Sequence, residues 1–81
     1  MKLEALQEAR RVIGAKQVIK LVKRQGTELV FVAEDAEAAV TDPIRELCRT
    51  QGVELVSVET MQELGQACGI EVKAAAAAVL K

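Results

Sequence analysis

The sequence contains no histidine, tryptophan or tyrosine, and phenylalanine and proline occur once each. Without histidine the chain lacks the side chain that most readily serves as a general base near neutral pH, and also the commonest nitrogen ligand of metals. Its two cysteines, Cys48 and Cys68, are far apart, so neither a zinc site of ordinary spacing nor a cysteine–histidine nucleophile can be assembled. Both fall on apolar helical stripes, where buried free thiols are expected. The scarcity of aromatics excludes a stacking platform for single-stranded nucleic acid, because the lone Phe31 lies in an apolar run with the character of a core strand. No apolar run approaches the roughly 18 residues of a membrane span, and the N-terminus has no signal-peptide pattern. A soluble cytoplasmic domain that makes no membrane contact is expected.

With 81 residues, the chain is read as one compact domain over residues 1–81. A domain of this size buries only about 60% of its unfolded surface, so nearly every apolar segment must enter one core. The net charge is −1, but the charges are segregated. Between Arg10 and Arg24 lie Arg10, Arg11, Lys16, Lys20, Lys23 and Arg24 with no acid among them, and all 12 acidic residues lie elsewhere. Such a distribution suits a small anion-docking patch on a body that repels polyanions. A solvated helix face would show the same stripe.

Along the chain, Lys2–Arg11 has the period of a helix, with Leu3, Leu6 and Ala9 inward. A short β-branched pair, Val12-Ile13, leads through Gly14 into a second helix that ends at Gly26, where a left-handed cap is expected. At 100° per residue, Ala15, Val18, Ile19, Leu21 and Val22 share one face of that helix and Lys16, Lys20, Lys23 and Arg24 the next. Leu29–Ala33 reads as a buried central strand. Asp42-Pro43 reads as a helix start, with Ile44, Leu47 and Cys48 inward and Gly52 as terminator. Val53–Val58 follows as a strand, and Thr60 with Glu63 forms a capping box for a helix that Gly69 ends. Ala74–Ala78 has the highest helix propensity of any residue type. A strand covered on both faces would also demand small side chains, and alternation with helices favours that reading. The fold class expected is α/β: a three-layer α/β/α sandwich with a mixed sheet of about four strands and four or five helices.

The residues offer little to catalysis. Glu34, Asp35 and Glu37 form the one acidic cluster, and a solvated loop explains it better than a metal site. A single glycine after a strand is not a dinucleotide fingerprint, so no enzyme activity, metal or cofactor is expected. Binding of a folded RNA by shape, phosphates and base edges has a more definite form. Gly14 permits close backbone approach, and the helix N-terminus after it favours phosphate. Lys16 and Gln17 can donate to base edges, and Lys20, Lys23 and Arg24 can follow the backbone beyond. Apolar residues near Gly69–Val72 can cover an unstacked nucleotide.

Three ordered segments carry a resemblance over nearly the whole chain: Gly14-Ala-Lys-Gln17 with Lys20 and Arg24, Val32-Ala-Glu-Asp-Ala36, and Leu64-Gly-Gln-Ala-Cys-Gly-Ile-Glu-Val72 before a small-residue strand. In these the chain resembles the kink-turn RNA-binding ribosomal protein family, of the archaeal large-subunit seven-Ae and eukaryotic large-subunit thirty types, and its small bacterial homologues. The resemblance implies an α/β/α sandwich that stabilises kink-turn RNA at tandem sheared guanine–adenine pairs, in association with a ribosome or a riboswitch. It implies that Lys16 and Gln17 face the guanine edges, that Lys20 and Arg24 hold backbone, that Glu37 sits near the flipped-out base, and that Ile70, Glu71 and Val72 pack on bulged nucleotides. Many members carry Asn-Glu where this chain has Lys16-Gln17. An amide is a weaker acceptor than a carboxylate, so looser base discrimination and stronger phosphate attraction are expected. Two other readings keep a sequence handle. One is a protein-interaction domain of the same fold, acting through Asp35, Glu37, Asp42 and Glu46; the other is an enzyme using Glu34. Nothing calls for an obligate dimer, and a monomer is expected.

Overall fold

The computed structural model describes residues 10–81. In order they form β1 (Arg11–Ile13), α1 (Ala15–Lys23), β2 (Thr27–Ala33), α2 (Ala38–Gln51), β3 (Glu54–Val58), α3 (Met61–Ala67) and β4 (Ala76–Leu80). The helix expected over Lys2–Arg11 lies outside the described residues except at its end, and there Arg11 belongs to a strand. Its apolar period shows where that helix faces inward but not where it stops.

The sheet runs β1-β4-β2-β3, with β4 antiparallel to both neighbours and β2 parallel to β3. Alternation along the central strands sends side chains to two cores. Val30, Val32, Ala76 and Ala78 meet Val18, Leu21 and Val22 of α1 and Ile44 and Cys48 of α2. Phe31, Ala33 and Ala77 meet Leu64 of α3 and Cys68 beyond it. The result is the α/β/α sandwich with a mixed four-stranded sheet. Burying a side chain such as Leu21 or Leu64 stabilises the fold by roughly 1.5–3 kcal/mol relative to its exposure.

The alanine run is a strand, as its setting between helical layers suggests. Ala76, Ala77 and Ala78 are fully buried, and their methyl groups let helices close over both faces of β4. Helix propensity separates ordinary residues by at most about 0.7 kcal/mol each. That is less than the sheet pairing and double-sided burial that a helix at this place would forfeit.

Two element ends differ from expectation. The α2 helix starts at Ala38, with Glu37 as N-cap, and Pro43 lies inside it. Ala38 and Ala39 favour the early start. Thr41 is buried, and its backbone N–H donates to the Glu37 carbonyl at 3.2 Å. At α1 the left-handed residue is Gln25 (φ 59°), not Gly26. The Gly26 N–H donates to the Leu21 carbonyl and the Gln25 N–H to that of Val22, each at 2.9 Å, which is the Schellman pattern with Gln25 at C′. Glycine is required one position later because a Cβ on Gly26 would lie 2.5 Å from Leu21 Cδ1. By contrast, α2 and α3 end on left-handed glycines, Gly52 and Gly69, as the sequence suggests.

Candidate nucleic-acid interface

The strand order brings four connections to one edge. Ile13 pairs with Ala77, Val32 with Ala76, and Ala33 with Val58. The turn after β1, the loop after β2, the loop after β3 and the approach to β4 therefore meet at the same end of the sheet. Backbone hydrogen bonds tie them together: Gly14 N–H to Ala76 O at 2.9 Å, Ala33 N–H to Ala75 O at 2.9 Å, Glu34 N–H to Val58 O at 2.7 Å, and Ala74 N–H to Met61 O at 3.1 Å.

From this edge α1 runs along one side. Gly14 is its N-cap, at φ 108° and ψ 144°, a conformation that L side chains rarely adopt. Its N–H is committed to the sheet, which leaves the N–H groups of Ala15, Lys16 and Gln17 as the first-turn donors of the helix. Lys16 and Gln17 are exposed in that turn, and the Gln17 side chain folds back so that its Oε1 lies 2.8 Å from where a Gly14 Cβ would stand. Lys20, Lys23 and Arg24 are exposed further along, while Val18, Leu21 and Val22 are buried. The basic stripe thus extends about 12 Å from Lys16 to Arg24 at 1.5 Å per residue.

Opposite Gly14, across β4, the Ile70–Lys73 segment crosses α3. The Gly69 N–H donates to Gln66 O at 3.0 Å and the Ile70 N–H to Gly65 O at 3.1 Å, a second Schellman pattern. The Val72 carbonyl occupies the place where a Gly65 Cβ would stand, so only glycine lets the segment lie this close. Arg11 Nη2 donates to the carbonyl of Cys68 at the end of α3. Held in this way, Val72 presents a side chain that is 68% exposed. Glu71 is exposed and Ile70 half-buried.

Most of the acidic loop is engaged within the protein. Glu34 pairs with Arg45 at 2.9 Å. A hydrogen bond from Ser57 and the Arg45 guanidinium hold its carboxyl below the usual range. Asp35 Oδ1 accepts from the Met61 N–H at 2.7 Å, and Thr60 Oγ1 accepts from that of Glu63 at 3.0 Å, so two first-turn donors of α3 are capped. Glu46 pairs with Arg49 on the same helix. Glu37 is exposed beside this loop. Cys48 and Cys68 are buried free thiols whose pKa values are pushed up by burial, against an opposing pull from Arg11 in the case of Cys68.

The structure brings Gly14, Lys16, Gln17, Ile70, Glu71 and Val72 to one edge, with Glu37 at the loop after β2 and Lys20 and Arg24 trailing along α1. Sequence reasoning missed Gly65, Asp35 and Arg11, which position the edge. Asp35 alone had a local signal, an acid ahead of the Thr60 capping box, but one distant in sequence.

Among the described residues, no helix is long and apolar enough to cross a membrane. An RNA-binding protein of Bacillus pumilus is 44% identical over 69 residues, covering 85% of this chain and 84% of its own length. A second, TTE2299 of Caldanaerobacter subterraneus, is 46% identical with the same coverage. The large ribosomal subunit protein eL8 of Halobacterium salinarum is 43% identical over 68 residues, 83% of this chain and 57% of that protein. Among solved structures, the 15.5kD RNA binding protein of Giardia lamblia superposes with a TM-score of 0.89 at 28% identity, over 98% of this chain and 70% of that one. The family described as Ribosomal protein L7Ae/L30e/S12e/Gadd45 matches residues 2–81, and this chain belongs to it.

Proposed function

We propose that the chain is a non-enzymatic, cytoplasmic RNA-binding protein, a single domain over residues 1–81, that recognises and stabilises kink-turn RNA at its tandem sheared guanine–adenine pairs. The observation that carries this reading is the convergence, on one edge, of a basic first helical turn and a braced loop with an exposed apolar side chain. A bent duplex offers a matching pair of features: base edges and phosphates in a groove, and nucleotides unstacked at the bend. The names of the bacterial relatives and of the Giardia structure support RNA as the ligand class.

Lys16 donates to guanine O6 or N7, and the Gln17 amide can donate and accept at the same edge. Lys20 and Arg24 hold phosphates without reading sequence. Glu37 accepts from the flipped-out base, and Ile70, Glu71 and Val72 lie against the bulge. The protein binds as a monomer, within a ribosome or on a riboswitch-like RNA. No structural feature favours the protein-interaction reading, because Asp35 and Glu46, two of its four acids, are engaged within the chain.

The test is binding to a kink-turn duplex and to the same RNA with its guanine–adenine pairs replaced by Watson–Crick pairs, over a range of salt. Strong preference for the first is expected, and equal affinity overturns the reading. Lys20→Ala should weaken binding to the kink-turn and lower the log–log salt slope by roughly one unit for each phosphate that the protein no longer neutralises.

A further inference from the structure

Beside the exposed Val72 lies a groove of about 560 Å³, lined by Gln62, Gln66, Ile70, Glu71, Val72 and Lys73. Its volume is within the roughly 300–1,000 Å³ of sites that take small organic groups. Gln62 and Gln66 are four residues apart on α3, so their side chains are neighbours on one helix face. Each amide offers both a donor and an acceptor. Ile70 and Val72 supply the apolar wall, while the opposite charges of Glu71 and Lys73 offset each other, so the groove suits a neutral group better than a phosphate.

Its walls are built rather than incidental. The Val72 carbonyl rests against Gly65, Ile70 is bonded to Gly65, and Ala74 is bonded to Met61, so both ends of the loop are fastened to the helix that carries the two glutamines. The groove is also continuous with the edge that carries Gly14 and Lys16. A planar polar heterocycle, neutral and with donors and acceptors on one rim, fits this combination.

We propose that this groove is a nucleobase subsite, in which Gln62 and Gln66 read the edge of one unstacked base of the bound RNA while Ile70 and Val72 cover its face. The proposal rests on the RNA reading above and assigns base discrimination to α3, in addition to α1. Gln62 and Gln66 are exposed, so replacing their amides leaves the core intact.

The experiment measures binding of the wild type, Gln62→Met and Gln66→Met to kink-turn RNAs in which each bulge nucleotide is made abasic in turn, and then varied among the four bases. One abasic position should weaken wild-type binding by roughly 10-fold or more, the range of a two-point amide–base contact. At that position the wild type should discriminate among bases, whereas the two variants should bind all four alike and bind the abasic RNA as the wild type does. Indifference of the wild type to every bulge base, or undiminished discrimination by both variants, overturns the subsite. The guanine–adenine replacement serves as the control. If it has no effect, the RNA reading itself fails; if it abolishes binding while the bulge bases make no difference, only the subsite falls.

Discussion

Substituting alanine for Gly14 should separate a backbone effect from a recognition effect, because the structure gives each a distinct origin. The backbone sits at φ 108° and ψ 144°. Holding a residue with a side chain in such a sparsely populated region costs about 1–3 kcal/mol. For a domain of this size each kcal/mol lowers Tm by about 4–8 °C, so Gly14→Ala should melt roughly 5–20 °C earlier in a circular dichroism scan. The second effect is steric. The new Cβ would lie 2.8 Å from Gln17 Oε1, and the flexible amide must swing away from the helix N-terminus. Little stability is lost by that motion, but the amide no longer lies where it is proposed to meet a base edge. Such a contact is worth about 1–3 kcal/mol, or roughly one to two decades in Kd. In a Gln17→Ala background there is no amide to displace, so Gly14→Ala should reduce affinity far less while lowering Tm by the same amount. A double-mutant cycle on kink-turn affinity, measured well below every melting temperature, should therefore show a coupling of about 1 kcal/mol or more. Independent sites add to within about 0.3–0.5 kcal/mol. Additivity of that quality would refute the claim that Gly14 makes room for Gln17.

Three further outcomes follow from packing and charge. Ala77→Leu inserts methylenes where Phe31, Leu64 and Cys68 already fill the space; it should destabilise the fold by about 1–3 kcal/mol in urea titration, and a neutral result would contradict close layering at β4. Asp35→Ala removes an acceptor from the first turn of α3, which should cost about 1 kcal/mol and speed hydrogen exchange at Met61, with unchanged exchange counting against the cap. Because the Glu34 pKa is lowered in the fold, its contribution to stability is fully present above the unfolded-state value near 4.5 and is lost as pH falls through the folded value. Glu34→Gln should slightly flatten the decline in stability below about pH 5, and an identical acid limb in both proteins would sink that assignment.

The elements legible in the sequence were those whose local pattern agreed with their tertiary setting. The apolar run around Phe31, the Thr60 cap, and the glycines at 52 and 69 each state one consistent preference. The alanine run was readable only through context, since its intrinsic propensity points to a helix. The errors arose where one strong local signal hid another constraint. Pro43 pointed to a helix start, yet a proline in the second turn forfeits one hydrogen bond, and Ala38 and Ala39 carry the helix back by more than a turn. Gly26 pointed to left-handed backbone, yet it is glycine because Leu21 leaves no room for a Cβ. For the candidate site, the basic face of α1 could be counted out from its spacing. The meeting of that face with the Ile70–Val72 loop could not, because it depends on β4 lying between β1 and β2. The role of Gly65 was hidden for the same reason: the carbonyl that occupies its side-chain space comes from a later loop.

A strand whose buried side chains are all methyl groups carries almost no shape information about its own alignment. Moving β4 by two residues would exchange alanine for alanine on each face, since the side-chain period is two, and the core would barely register the change. The correct alignment must therefore be read at its margins, where Val79 faces Arg11 and Leu29 and where Ala76 accepts from Gly14. A two-residue slip would carry the preceding loop about 7 Å along the strand, away from the helix turn opposite. The hydrogen bond that anchors the first turn of α1 to the sheet is thus also the one that sets the separation between the two halves of the proposed RNA edge. A protein with a featureless central strand has placed its alignment mark at the site where alignment matters for binding.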